Sequence, residues 1–509
     1  MIAVSAIATT IAACSSPDAA TKQSIVDTAP ATVTPDAPPR SVAHVVAPAE
    51  SAAPSTGPGT TMTEVSATSR CKLSADPDPG ERTLHVWHRF GGEVVPQWFS
   101  NQIKRYERLH PGVRVVLDEA PSVIAEQLAE ISDRPPERRP DIVLGPAHAV
   151  RMQHDSALFI APSECTGGEV PAALSGLLPA IRHHYSVDGT LWAAPYNVSA
   201  PVMMFDRARW RAAGLDPDDP PTTFDELFVA IEQLVASGQS AAGLALYDRS
   251  ATWLVTQNAA RDGTVLVEPN NGHTGREVES VLFELPGTVD LLEELQRLKA
   301  DGKVLWLGLN EGDTADLFAL VLGDVPSRPS AGITFHTSGS LGDIAEYLEL
   351  DAFDDVDLGV APIPGDDDGP AVGATVGGGS WWLVDRGDPA QAAAAWSLVD
   401  WLVQPERIAE LAAFSGFVPT SPAAAADGVT VAAWAERPLL RVAYDELAVM
   451  PADHAANGWQ VGPTLEVERQ LELAAAFSID AGEDPAEQLA WYAKAAETSL
   501  ELYAAGPWD

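Results

Sequence analysis

Apolar residues recur along this chain at two spacings, alternate positions in some stretches and every third or fourth in others. In TLHVWHRF, Leu84, Val86 and His88 share one face of a predicted strand that opens near Arg82. In PQWFSNQIKRYERLHPG, Phe99, Ile103 and Tyr106 lie on one face of a predicted helix, and Pro111–Gly112 stops it. VRVVL alternates again, IAEQLAEI is a short amphipathic helix, and PDIVLG reads as a buried strand. This β-α-β-α-β series predicts a largely parallel sheet with helices on both faces.

The pattern returns further on. PPTTFDELFVAIEQLVASG opens with a capping box, Thr223 to Glu226, and ends at Gly238. GTVDLLEELQRLKADG is a second capped helix, and AGITFHTSGSLGDIAEYLEL reads as strand, small-residue loop and helix. In GDPAQAAAAWSLVDWLVQPE, Asp388 stands at the N-cap and Pro389 at the first helical position. ATVGGGSWWLV places Gly377–Gly379 before a strand whose Trp381 and Trp382 read as core rather than as a platform for a sugar face. The expected class is α/β, and a body of roughly 430 residues is too long for one compact unit and most simply forms two lobes.

The chain ahead of this body differs in kind. MIAVSAIATTIAAC is a short apolar run ending at Cys14, and IAAC matches a bacterial lipobox without a basic residue before it. The expectation is a signal peptide over 1–14, lipidation at Cys14, and an extracytoplasmic protein touching the membrane only through that lipid. Residues 15–70, rich in Ala, Pro, Ser and Thr, read as a disordered tether. Cys71 and Cys165 are the two remaining cysteines, and in an exported chain they are expected to pair.

A formal charge of -41 sets the surface against nucleic-acid phosphates and anionic lipid, so no nucleic-acid partner is expected. Gly377–Gly379 has no following Lys-Ser/Thr and is not a phosphate loop, and no serine has the nucleophile-elbow spacing. His183 and His184 are adjacent and point to different sides of any helix or strand, so no metal site is expected, nor any cofactor. HTSGSLGDI offers the amides of Ser338, Gly339 and Ser340 at a helix start, either for a ligand oxygen or for simple N-capping. Trp253, placed in a loop with Gln257 and Asn258 nearby, is either a platform for a sugar face or an ordinary core residue.

Eight segments occur in an order that resembles the extracellular solute-binding proteins of ABC importers: LHVWHRFGGE, ERLHPGVRVVL, PDIVLG, GTLWAAPYNVSAPVMMFDRARWRAAGLDPDDPPTTFDEL, HTSGSLGDI, LGVAPIPG, VGGGSWWLV and WLVQPERIAELAAFSGFVPTSPAA. PYNVSAPV, TSGSL and GGGSWW are most similar to the glycerol-3-phosphate branch of the carbohydrate-binding group. The resemblance implies a bilobal type II periplasmic-binding fold, with lobe I at 82–197 plus 360–417 and lobe II at 198–359 plus 418–509. It places crossings near Asn197, Asp357–Val360 and Phe417–Pro419, with hinge closure on a solute.

It further implies ligand contacts at Ser199, Thr337, Ser338, Gly378 and Trp253. Gly339, Ser340 and Phe417 are taken as candidates beside them, with Arg89 from the other lobe and Glu93. Three positions depart from the branch: Phe417 replaces a tyrosine, Ala147 beside His148 replaces a carboxylate, and Glu466 stands where an arginine is expected. With that arginine gone, a neutral sugar or polyol is favoured over a glycerophosphate-type solute. The function expected is a monomeric, non-catalytic binding lipoprotein serving an ABC permease. A surface-anchored glycan hydrolase and a sensor without a permease are the alternatives.

Overall fold

The computed structural model describes residues 70–71, 81–91, 94–308, 330–348, 356–365, 375–454 and 457–506. Cys14, Glu93 and nearly all of the expected tether lie outside these residues. The chain runs β1 (Arg82–His88), α1 (Val94–Leu109), β2 (Val113–Glu119), α2 (Ile124–Asp133), β3 (Ile142–Pro146), β4 (Phe159–Ile160), α3 (Pro179–His184) and β5 (Ala194–Pro195). It continues with β6 (Pro201–Asp206), α4 (Phe224–Ala236), β7 (Ala242–Leu246), α5 (Asp248–Arg261), α6 (Pro286–Ala300), β8 (Val304–Trp306), β9 (Ala331–Thr337), α7 (Leu341–Leu348) and β10 (Leu358–Ala361). It ends with β11 (Gly379–Val384), α8 (Pro389–Leu402), α9 (Pro405–Ser415), α10 (Val442–Val449), α11 (Thr464–Ile479) and α12 (Pro485–Ala504).

Two sheets result. The first has the order β2-β1-β3-β11-β4, with β5 also on β11, and the second has the order β8-β7-β9-β6-β10. Each is mixed rather than largely parallel. β1 runs parallel to β2 and β3, but β11 is antiparallel to β3, β4 and β5. In the second sheet, β6 is antiparallel to both β9 and β10. Strand direction here follows from where the chain returns across the molecule, which local periodicity does not encode.

Local chemistry sets the element ends as the patterns predict. Thr223 Oγ1 accepts from the Glu226 amide at 3.3 Å and the Glu226 carboxylate accepts from the Thr223 amide at 3.3 Å, closing the capping box of α4. Asp388 accepts from the amides of Ala390 and Gln391 to cap α8. Trp381 and Trp382 are both buried in β11. Trp381 stacks on Phe99 at 5.4 Å between centroids, and the Trp382 indole donates to Ser380 Oγ at 3.0 Å. A disulfide joins Cys71 to Cys165, and beside it the Arg70 guanidinium pairs with Glu164. The disulfide thus ties Cys71, ahead of β1, to the segment that follows β4. No helix among the described residues is long and apolar enough to cross a membrane.

The two sheets are joined by backbone lying side by side. The first passage, between Pro195 and Pro201, brackets Asn197. The second was expected at Asp357–Val360, but those residues reach into β10 of the second sheet, so this passage lies between Ala361 and Gly379. The Gly377 amide donates to Ser199 O at 2.8 Å and the Ser199 amide to Gly377 O at 3.2 Å. The third passage joins them through Val418 N to Val198 O at 2.7 Å, and Ser338 N donates to Ala200 O at 2.8 Å. Gly378 has φ +82°, and a Cβ there would stand 1.9 Å from Asn197 O.

Two predictions follow from this packing. Gly378→Ala should lose about 1–3 kcal/mol or more in chemical denaturation. Gly387→Ala, also at positive φ (+68°) but with nothing within 4 Å, should lose less. Thiol labelling of the unfolded, non-reduced protein should find neither Cys71 nor Cys165 reactive, and Cys71→Ala should cost about 2–5 kcal/mol.

Candidate functional site

A cavity of about 260 Å³ opens between the two sheets. The first-sheet side supplies Arg89 just after β1, Ser122 and Gln127 around the start of α2, and the Gly145–Pro146 backbone at the end of β3. Gly378 and Gly379 complete that wall, with Asn197 at the first passage. The second-sheet side supplies Arg249 in the first turn of α5 and Leu465 on α11. A larger groove of about 630 Å³ lies on the outer face between α4 and α6. Its arginine, Arg297, is committed to Glu232, Glu294 and Asp301.

Three features of the inter-sheet cavity carry chemistry. Arg89 and Arg249 bring two guanidinium groups to one small space, each with a loose carboxylate neighbour: Glu119 at 3.8 Å and Glu472 at 3.7 Å. Asn197 Oδ1 is buried and has no hydrogen-bond partner. Buried acceptors are nearly always satisfied, so this unmatched oxygen stands out beside the cavity. His148 also lines the cavity, and burial, reinforced by Arg249, holds its ring down at about 4. It is a neutral imidazole at neutral pH, able to donate from one nitrogen and accept at the other.

Arg249 also belongs to a charge cluster behind the wall. Buried Asp248 and Glu472 share Arg469, whose Nη1 lies 3.4 Å from one carboxylate and 3.3 Å from the other. Burial, then repulsion from Asp248, pushes Glu472 up to about 7.

The structure divides the expected ligand residues. Arg89 and Gly378 line the cavity. Ser199, Thr337, Ser338, Gly339, Ser340, Trp253 and Phe417 do not, and most are occupied elsewhere. Ser199 belongs to the backbone pairing with Gly377, and the Ala200 amide donates to Ser338 Oγ at 3.2 Å. Thr337 Oγ1 accepts from the Gly339 amide at 3.3 Å, and Ser340 Oγ donates to Thr337 O at 2.7 Å, so this loop caps its own turn. The Phe417 ring lies over Gly339, where a Cβ would come within 2.6 Å. Trp253 is on α5 rather than in a loop, half-buried against the second core and edge-on to Tyr247. Glu466 accepts from Gln470 and is not on the wall.

Arg249, Asn197, Gln127 and Leu465 were not singled out as ligand contacts. Arg249 had a readable signal. A cation in the first turn of a helix opposes the helix dipole and calls for a nearby anion.

A sequence profile described as bacterial extracellular solute-binding protein matches residues 101–440. The chain belongs to this family. Among curated relatives of this solute-binding protein, the sn-glycerol-3-phosphate-binding periplasmic protein of Yersinia pestis is 28% identical over 254 residues, 49% of this chain and 54% of that one. The Escherichia coli K12 protein of the same name gives the same figures. The chain thus spans about half the length of the curated relatives it matches.

Solved structures extend the likeness over the body. The cyclic alpha-maltosyl-1,6-maltose binding protein of Arthrobacter globiformis superposes with TM-score 0.65 at 19% identity, covering 83% of this chain and all of that one. UgpB from Mycobacterium tuberculosis in complex with glycerophosphocholine gives TM-score 0.64 at 19% identity and the same coverage. At this identity the likeness establishes the fold, a type II periplasmic-binding fold of two α/β lobes.

The Glu472 cluster yields a pH prediction. The carboxyl keeps its proton in the folded protein up to about pH 7 and loses it near its ordinary value when unfolded. Stability therefore falls as pH rises from about 4.5 to about 7 and levels off above. Glu472→Gln should gain on the order of 1–3 kcal/mol over the unsubstituted protein between pH 5 and pH 8 in paired melting curves.

Proposed function

We propose that this solute-binding protein captures a small anionic polyol, of the glycerophosphate type, in the cavity between its lobes. The observation that carries this reading is the pair Arg89 and Arg249, which reach one cavity from opposite lobes. Arginine matches a phosphate through paired N–H bonds, and two of them supply a phosphate's two faces. Asn197 Oδ1 and the neutral His148 supply partners for hydroxyl groups. The two arginines reverse the preference for a neutral solute drawn from the absence of an arginine at Glu466. The volume of about 260 Å³ falls below the range of about 300–1,000 Å³ usual for drug-sized ligands, which favours a small solute over an oligosaccharide.

In this reading the solute bridges the lobes and closes them, and the closed form hands it to an ABC permease. Cys14 holds the protein at the outer membrane surface through a lipid, and residues 15–70 give it reach. The described lining holds no Asp or Glu, so the facing carboxylates of a glycan hydrolase are not on these walls.

Melting and tryptophan emission would be followed with sn-glycerol 3-phosphate, glycerophosphocholine, ribitol and maltose. The phosphate-bearing solutes should raise the melting temperature. Arg89→Gln and Arg249→Gln should each weaken their binding about 10–100-fold. A response to maltose or ribitol alone, or full affinity in both variants, overturns the anionic assignment.

A further inference from the structure

A second cluster of functional side chains lies away from the cavity's arginines. His183, at the end of α3, His273, just after the 3-10 turn Asn270–Gly272, and His454, in the segment between α10 and α11, converge from three distant parts of the chain. Their ring centroids are 4.9, 5.1 and 4.9 Å apart, and one ring nitrogen of each lies within 4.8 Å of the others.

Two ring nitrogens of the cluster have nothing to bind. His183 Nε2 and His454 Nδ1 are both buried without a hydrogen-bond partner. The third ring is oriented from behind: His273 Nε2 lies 2.8 Å from Gly458 O, so that nitrogen donates and Nδ1 keeps its lone pair. Backbone around the rings is held as well. Asn271 Nδ2 donates to His454 O at 2.9 Å, and Arg151 donates to Gly272 O at 2.9 Å. Such outer contacts orient metal-binding histidines.

We infer that His183, His273 and His454 form a binding site for a divalent transition-metal ion of the zinc class. Three imidazole nitrogens suit Zn²⁺ and its neighbours and do not suit Ca²⁺ or Mg²⁺, which take oxygen. Tetrahedral ligands at about 2.0–2.1 Å from Zn²⁺ stand about 3.3 Å from one another, so the rings need draw together by no more than about 1.5 Å. Three ligands leave a fourth position for water or a further donor. The site also spans the two cores. Helix α3 packs through Ala180 and Ile181 into the core of the first sheet. The hairpin beside His273 packs through Val267 and Val281 into that of the second. An ion bound here ties one core to the other.

The test uses tag-free full chain stripped with EDTA and titrated with ZnCl₂ against a chromophoric chelator, with melting curves in parallel and CaCl₂ as control. One equivalent of Zn²⁺ should bind tightly and raise the melting temperature, and Ca²⁺ should not. His183→Gln and His454→Gln should each weaken Zn²⁺ binding at least tenfold. Because those ring nitrogens bond to nothing, the metal-free melting curves of both variants should match the original. Co²⁺ should give a visible absorption band that both variants lose. Absence of stoichiometric Zn²⁺ binding overturns the proposal. So does full binding in the doubly substituted protein, which would place the ion on the acidic surface.

Discussion

The close approach of backbone to backbone at the passages between lobes is the constraint on which the rest depends. Gly378, Asn197, Ser199 and Val418 pack so that peptide groups, not side chains, form the joint. Gly416 repeats the logic, because a Cβ there would meet Ser338 O at 2.3 Å. Peptide bonds at such a joint are satisfied internally, so the passages are well defined while φ and ψ can still turn. The same closeness puts the Gly378–Gly379 backbone and Asn197 on the cavity wall. The joint and the cavity wall share one piece of chain.

This explains why the hydroxyl residues read as ligand contacts are absent from the wall. Ser199 pairs with Gly377 through its backbone and Ser338 accepts through its hydroxyl from the Ala200 amide, both within the joint. A serine that holds two passages together and one that binds a solute look identical in sequence. The three glycines were legible, and for a physical reason: backbone must run close to something. What they run close to includes Asn197 O, as well as the open cavity.

Elements were legible wherever local chemistry decides them. The alternation in β1, the i, i+4, i+7 face of α1, the capping box of α4 and the Asp-Pro start of α8 each formed as read. Strand direction was not, because β11 enters its sheet after a return across the molecule. Trp253 was misplaced because the polar run around it hid a helix largely buried on several faces, with no single apolar stripe to read. The histidine cluster was hidden for another reason. Adjacency of His183 and His184 argued against a shared ion, and correctly, since His184 turns to Ala147 O. The partners of His183 come from segments that only the packed lobes bring together.

The charge of the molecule and the character of its cavity then fit together. A chain with formal charge -41 repels anions at long range, yet surface charges beyond about 8–10 Å are screened at physiological salt. Inside a narrow cavity the nearest groups dominate, and here those include two guanidinium groups, with Glu119 at 3.8 Å from one and Glu472 at 3.7 Å from the other. Behind the wall, burial and then Asp248 keep Glu472 protonated up to about pH 7. The acidity of the exterior therefore bears on solubility and long-range repulsion, while the cavity's own groups set the field inside it.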